Sequence, residues 1–312
     1  MRRFLLSRIL QALVTLWLLT MVAFVMTRLT GDPLDVLLDA RATEDDRKAM
    51  ASVLGLDRPL PVQYAIYLGH AALGNFGDSF KTRRPALTMV MERLPLTLEL
   101  GTTAFLVSLV IAVPIGVISA VRRDTSVDVL GKVIALLGQS FPTFWLGLML
   151  ILLFAVTLEW LPASGAGGPA HLVLPSITLG WFTVAGIMRL VRSAMLDTLG
   201  QEYVVTARAK GLRESGVVWK HALRNALIPP LTYAGLIFVG LLAGAVVTET
   251  VYAWPGVGQL VIESVAFRDF PVIQVILLLF GVMYVGMNLV IDLLYIWIDP
   301  RIGLAETTVR RG

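Results

Sequence analysis

Six stretches of apolar residues recur along the chain, each about twenty residues or longer, and charged residues collect in the gaps between them. A helix needs about 20 apolar residues to cross the hydrocarbon core of a bilayer, so each stretch predicts a membrane-spanning helix. The predicted spans cover residues 9–27, 96–121, 132–158, 171–191, 226–247 and 272–298. The first follows Arg2, Arg3 and Arg8, a charge layout shared with signal peptides. Its apolar run is longer than theirs and no Ala-x-Ala site follows, so it reads as an uncleaved first helix ended by Gly31-Asp32-Pro33. An even number of spans puts both termini on the same side.

Prolines and glycines punctuate this pattern. Pro114 and Gly116 predict a bend in the second span, Phe141-Pro142 falls inside the third, and Leu161-Pro162 precedes the fourth. Pro229 and Pro230 fall in the first turn of the fifth, where a missing N–H is best tolerated. Gly235, Gly240 and Gly244 predict close helix packing there.

Residues 31–94 are different in kind, with dense charge and no spanning stretch. Thr43 followed by Asp46 resembles a capping box, Met50, Val53 and Leu54 form an apolar stripe, and Gly55 supplies a helix stop. A second amphipathic stretch after Pro59 and Pro61 carries Tyr64, Tyr67 and Leu68, and Gly74-Asn75-Phe76-Gly77-Asp78 reads as a turn. The expected organisation is an N-terminus and first span over 1–30, a small extracytoplasmic domain over 31–94, and a five-helix core over 95–312.

Composition agrees: 56% of residues are hydrophobic and 15% charged, where soluble proteins hold about half and about a quarter. The net charge of +4 comes from basic residues that border the spans, so membrane topology explains it and no nucleic-acid partner is expected. Residues 122–132 carry Arg122, Arg123 and Lys132, and residues 189–224 carry seven Lys and Arg from Arg189 to Arg224. By contrast, 159–170 has none and 251–271 only Arg268. With Arg301, Arg310 and Arg311 in the tail, both termini and the 122–132 and 189–224 segments are predicted cytoplasmic. Long loops translocate largely regardless of charge, so 31–94 is predicted to face outward.

Candidate chemistry is sparse. There is no cysteine, the three histidines (His70, His171, His221) lack ligand spacing, and no nucleophile elbow occurs. Gly131-Lys132 is followed by Val133 and lacks the upstream glycine of a phosphate loop. No catalytic residue, metal or cofactor is expected in this chain. The long cytoplasmic segment is the informative one. Residues 202–211 read as a short helix ended by Gly211, 212–221 begin a second, and 222–229 lead back to the membrane. Thr206, Ala207, Ala209 and Gly211 lie among Arg208 and Lys210, a composition that lets a helix approach another surface closely.

Residues 202–230 resemble the coupling segment, or EAA loop, of ABC importer permeases. The wider pattern is similar to the peptide/nickel branch of that family. It includes Thr30-Gly31-Asp32-Pro33, Leu54-Gly55-Leu56-Asp57-Arg58-Pro59, Gly74-Asn75-Phe76-Gly77-Asp78-Ser79 and Thr97-Leu98-Glu99-Leu100. It continues with Ala207-Arg208-Ala209-Lys210-Gly211, His221-Ala222-Leu223-Arg224-Asn225, Thr248-Glu249-Thr250 and Trp254-Pro255-Gly256-Val257-Gly258. The family's Glu-Ala-Ala is replaced by Val205-Thr206-Ala207 and its Leu-Pro by Leu223-Arg224, so no glutamate contact carries over to Val205.

The resemblance implies an all-α membrane protein: six transmembrane helices in the type I ABC importer permease fold. It implies a non-enzymatic permease of the bacterial inner membrane, of the first-permease type, moving di- or oligopeptides or related solutes by alternating access. Implied partners are a second homologous permease, two ATPase subunits that bind the ATP and Mg, and an extracytoplasmic solute-binding protein. Within 193–225, ATPase coupling would fall to Tyr203, Thr206, Ala207, Arg208, Ala209, Lys210, Gly211 and Leu212.

Glu99 and Asp292 lie within predicted spans, where ionisable residues are costly, and Glu249 lies near an outer boundary. All three are candidates for the translocation path or a gate. The competing expectations are an interfacial Glu99 paired with Arg93 and a packing hydrogen bond for Asp292. Trp254 with its following turn reads as an aromatic interfacial anchor or as a shaped docking loop. An ion-gradient-driven secondary transporter is the alternative function. It would need mid-membrane carboxylates, for which Asp292 is the one candidate.

Overall fold

The computed structural model describes residues 2–29, 34, 38, 42–53 and 55–298, with side chains described except at 2–5, 29, 236 and 291–298. Among the described residues, helices Leu6–Arg28, Ala86–Val121, Pro169–Leu199 and Phe270–Val290 are long and apolar enough to cross a membrane. Two helix pairs reach that length together, Ser126–Ser140 with Thr143–Thr157 and Ile228–Gly235 with Ile237–Val251, which gives up to six spans where each bent pair is one span. The chain divides into two compact units, Met1–Pro95 with Gln259–Gly312, and Leu96–Gly258.

In the first unit, α1 (Arg2–Leu29) packs along the last helix, Phe270–Ile298. Gly281 permits this approach, because a Cβ there would strike the Leu19 side chain. Gln274 Nε2 adds a hydrogen bond to Thr27 Oγ1 at 3.3 Å. The capping box forms at α2 (Glu44–Val53): the Asp46 N–H donates to Thr43 Oγ1 at 3.3 Å and the Thr43 N–H to Asp46 Oδ2 at 2.9 Å. Gly55, at φ +66, ends this helix, and the Leu56 N–H reaches back to the Ala51 carbonyl at 2.8 Å. The expected apolar stripe is not buried: Val53 is exposed, Met50 half-buried, and Leu54 lies outside the described residues, as does Thr30–Pro33. Helix α3 (Leu60–Ala72) docks on α1 instead, through Tyr64 and Tyr67 against Phe24 and a 2.8 Å bond between the Tyr64 and Thr20 hydroxyls. The predicted turn is present, with Gly74 and Gly77 at positive φ and the Gly77 N–H on Asn75 Oδ1.

Helix α4 (Ala86–Val121) begins ten residues before the predicted span and runs unbroken through Pro95 and Pro114. The helix is not interrupted at Pro114 or Gly116. Gly116 serves packing instead: a Cβ there would lie 2.8 Å from the Met188 carbonyl and 2.9 Å from Val191. One turn-set earlier the same helix meets Gly180, whose missing Cβ leaves room for the Ala104 carbonyl. Its partner in both contacts is α7 (Pro169–Leu199), which also starts before and ends after its predicted span.

The third predicted span is not one rod. It is α5 (Ser126–Ser140) followed by α6 (Thr143–Leu150) and a π-helical continuation to Thr157, turned by 107° at Phe141-Pro142. Proline forces its predecessor out of the α region, and Phe141 is extended at ψ 131°. α8 (Glu202–Ala209) and the short turns after it lead into α9 (Ile228–Val251), which carries Pro229 and Pro230 in its first turn as expected. Among the described residues of this chain nothing packs closely on Gly240 or Gly244, since a Cβ at either would meet nothing within 4 Å. The remaining helices are α10 (Val257–Ala266) and α11 (Phe270–Ile298).

Candidate functional site

α8 is too short to be stable alone, so tertiary contact must hold it. Val204 and Ala207, three residues apart and therefore on one face, are buried in a core built from Ile187, Met188, Val191 and Met195 of α7 and from Val217, Val218 and Ala222. The opposite face is open: Val205 is 54% exposed, Tyr203 42% and Leu212 46%, with Thr206 and Ala209 between them. The small residues expected to let the helix approach another surface closely are thus divided between its two faces. Ala207, 9% exposed, packs inward, while Thr206, Ala209 and Gly211 face out.

Gly211 ends the helix at φ +76. The Lys210 N–H bonds the Thr206 carbonyl at 3.0 Å and the Gly211 N–H that of Arg208 at 2.9 Å. A Cβ on Gly211 would meet nothing within 4 Å, so backbone conformation and not space demands glycine here. Arg208 spans the turn, its Nε and Nη2 reaching Glu214 at 3.1 and 2.8 Å. This pairing holds the Glu214 carboxyl below its ordinary range and raises the Arg208 guanidinium. Across the segment, Asn225 Nδ2 donates to the Tyr203 hydroxyl at 2.8 Å, tying α8 to the return strand of chain. Lys210 is exposed.

A buried ionic cluster that the sequence reading missed ties α4 and α5 to α7, the helix leading to α8. Asp128 is fully buried and accepts Nε and Nη2 of Arg192 at 2.7 Å each, Ser119 Oγ at 2.9 Å and the Asp124 N–H at 3.1 Å. Lys132, four residues on, adds an ion pair at 2.9 Å. The i, i+4 spacing of Asp128 and Lys132 was the available signal.

The gate candidates separate. Glu99 is exposed on α4, and Arg93 pairs not with it but with Glu263 at 3.6 Å. Asp292 falls on α11 where side chains lie outside the described residues. Glu249 is fully buried beneath the Trp254–Gly258 turn. Thr97 Oγ1 donates to Glu249 Oε1 at 2.7 Å and accepts the Val257 N–H at 2.8 Å, acting as a relay between the turn and the carboxylate. A Cβ at Gly256 would fall on the Glu249 carboxylate, and one at Gly258 would lie 2.6 Å from the Val246 Cα. Trp254 is buried, with Nε1 on the Leu96 carbonyl at 3.0 Å, which excludes the exposed aromatic anchor. The turn is a shaped, internally bonded element.

The profile described as binding-protein-dependent transport system inner membrane component matches residues 112–304, and that for the N-terminal part of such components matches residues 1–101. The chain belongs to this family. The permease is 41% identical over 303 residues to the glutathione transport system permease protein GsiC of Salmonella typhimurium, covering 97% of this chain and 99% of that one. The same protein of Escherichia coli K12 matches over the same length at the same identity. Two inward-facing crystal forms of the MetNI methionine ABC transporter share the fold, with TM-scores of 0.52 and 0.55 at 19% and 20% identity. They cover 66% of this permease and 96% and 94% of their own chains. The protein is therefore an all-α, multi-pass inner-membrane permease of a binding-protein-dependent ABC importer. It works with ATPase and solute-binding partners, is not itself an enzyme, and the secondary-transporter alternative is not favoured.

Proposed function

We propose that this permease pairs with a second, homologous permease and two ATPase subunits, and that α8 transmits the ATPase cycle to the membrane helices. The observation that carries this reading is the two-sided character of α8: Val204 and Ala207 bind it to the α7 core, while Tyr203, Val205, Thr206, Ala209 and Leu212 are left open. A push on the open face is delivered to α7 through packed side chains. Arg208, Lys210 and Gly211 set the end of the helix and its charge.

Both termini and the 189–224 segment would then be cytoplasmic, with 31–94 extracytoplasmic and receiving a solute-binding protein. ATP and Mg would be bound by the ATPase subunits and not by this chain. ATP can drive alternating access only if it binds the closed ATPase arrangement better than the open one. Relatives named as glutathione permeases support a short, peptide-like solute. Glu99, Glu249 and Asp292 remain the proposed path or gate residues, with Glu249 acting through the conformation of the turn above it.

The test uses the absence of native cysteine. Val205→Cys and Thr206→Cys should each cross-link to cysteines placed along the ATPase surface, whereas Ala207→Cys should not. Equal cross-linking of all three, or of none, would refute the two-sided coupling helix. Uptake of radiolabelled glutathione and of dipeptides by the intact transporter then separates the solutes.

A further inference from the structure

A cavity of about 820 Å³ opens within the first unit, among the ends of α1 and α11, α3, and the loops at 55–58 and 75–83. Its volume falls in the range of small-ligand sites, about 300–1,000 Å³. Among the described residues its charge is one-sided, with Arg28, Arg58 and Arg83 in the lining and Asp78 as the one carboxylate.

These arginines are held differently. Arg28 donates through Nε and Nη2 to Gln63 Oε1, at 3.2 and 2.6 Å, and lies over the Phe24 ring at 4.9 Å. Gln63 is itself fixed by donating to the Leu56 and Arg58 carbonyls at 3.0 and 2.7 Å. Arg58 and Arg83 are exposed, and neither side chain has a hydrogen bond or ion pair among the described residues. Arg83 adopts φ +58, a conformation L residues rarely take, and the Ser79 carbonyl holds its N–H at 2.9 Å. Strained backbone of this kind persists only where surrounding structure imposes it, and it clusters at ligand clamps.

A second observation points the same way. Tyr67 lines the cavity, and its hydroxyl is buried with no hydrogen-bond partner among the described residues. Burial pushes its pKa up to about 12, so it keeps its proton at neutral pH and requires an acceptor. The walls supply apolar contact from Phe24, Ile66, Phe80 and Phe270. Arg28 ends one candidate span and Phe270 begins another, so the cavity stands at the level where hydrocarbon gives way to headgroups.

We propose that this cavity binds an oxyanion carried on an apolar body, with Arg58 and Arg83 contacting the anion and Tyr67 donating a hydrogen bond to it. Guanidinium forks match phosphate and carboxylate alike, so the anion is a lipid phosphate or the carboxylate of a short peptide.

The test uses the full chain purified in a maltoside detergent, which carries no phosphate. One arm titrates phosphatidylglycerol and reads retained lipid by native mass spectrometry. The other titrates glutathione and reads binding by equilibrium dialysis. Saturable one-to-one binding in the first arm identifies a lipid site, and in the second a solute site. In either, the Arg58→Gln, Arg83→Gln double variant should bind about tenfold or more weakly, and Tyr67→Phe several-fold more weakly. Unchanged thermal unfolding of the probe-free variants shows that the fold is intact; if the double variant unfolds early, Tyr67→Phe alone decides. Absence of saturable binding in both arms, or variants that bind as tightly as the wild type, overturns the proposal.

Discussion

Arg192 presents one edge of its guanidinium to Asp128, Nε and Nη2 each donating at 2.7 Å to a carboxylate with no solvent exposure. Ser119, Lys132 and the Asp124 N–H take up the remaining lone pairs, so one side chain joins the end of α4, the start of α5 and the C-terminal third of α7. Such a pair stabilises little over an apolar replacement, but breaking one side leaves an uncompensated charge.

Asp128→Asn should therefore lower the stability of the purified permease by about 3 kcal/mol. Thermal unfolding in detergent measures it. Adding Arg192→Gln should cost less than the sum of the single changes, because the partners share one interaction. Strict additivity would mean that the cluster is not coupled.

At Gly211 the demand is for positive φ with no steric neighbour. Gly211→Asn, which tolerates that conformation, should keep most uptake activity, whereas Gly211→Val should lose it while the protein still reaches the membrane. The conformational difference is about 1–2 kcal/mol. Equal activity of the two variants in a transport assay would count against a fixed turn.

The relay under the Trp254–Gly258 turn predicts that Thr97→Val costs about 1–3 kcal/mol, since it strips a donor from Glu249 and an acceptor from the Val257 N–H. Gly256→Ala should be worse tolerated than Gly240→Ala, which adds a methyl in open space. Comparative unfolding midpoints of the three variants check the order.

Arg208 and Glu214 give a pH signature. The folded-state pKa of Glu214 is depressed by Arg208, so the bond is fully present above the ordinary glutamate value of 4.5 and is lost as pH falls through the lower, folded value. Hydrogen exchange of the 208–214 amides should be flat near neutrality and quicken in acid once intrinsic exchange is corrected. Glu214→Gln should remove that dependence. Salt should weaken the contact, because both groups are exposed.

The spans were legible because a bilayer imposes length and apolarity locally, and the caps at Thr43 and Gly55 because capping is read within one turn of chain. Direction was less legible. Nothing local told whether Pro142 would kink its span gently or turn it by 107°, while Pro114 left its helix unbroken. At the coupling segment the helix and its glycine stop were evident, yet its inward face was not, since Ala207 is apolar enough for either side. The Glu249 relay joins Thr97 to residues about 150 positions later, a pairing that only tertiary structure can make.

The unbroken α4 has a mechanical consequence. Its 36 residues extend about 54 Å, against a hydrocarbon layer of about 30 Å. Much of the rod must therefore stand in water or headgroups, free of lipid constraint. Rotating such a rod by about 10° about its midpoint carries each end through about 5 Å, on the scale of a full helical turn. A small tilt inside the bilayer is thus geared up into a large stroke at the surface.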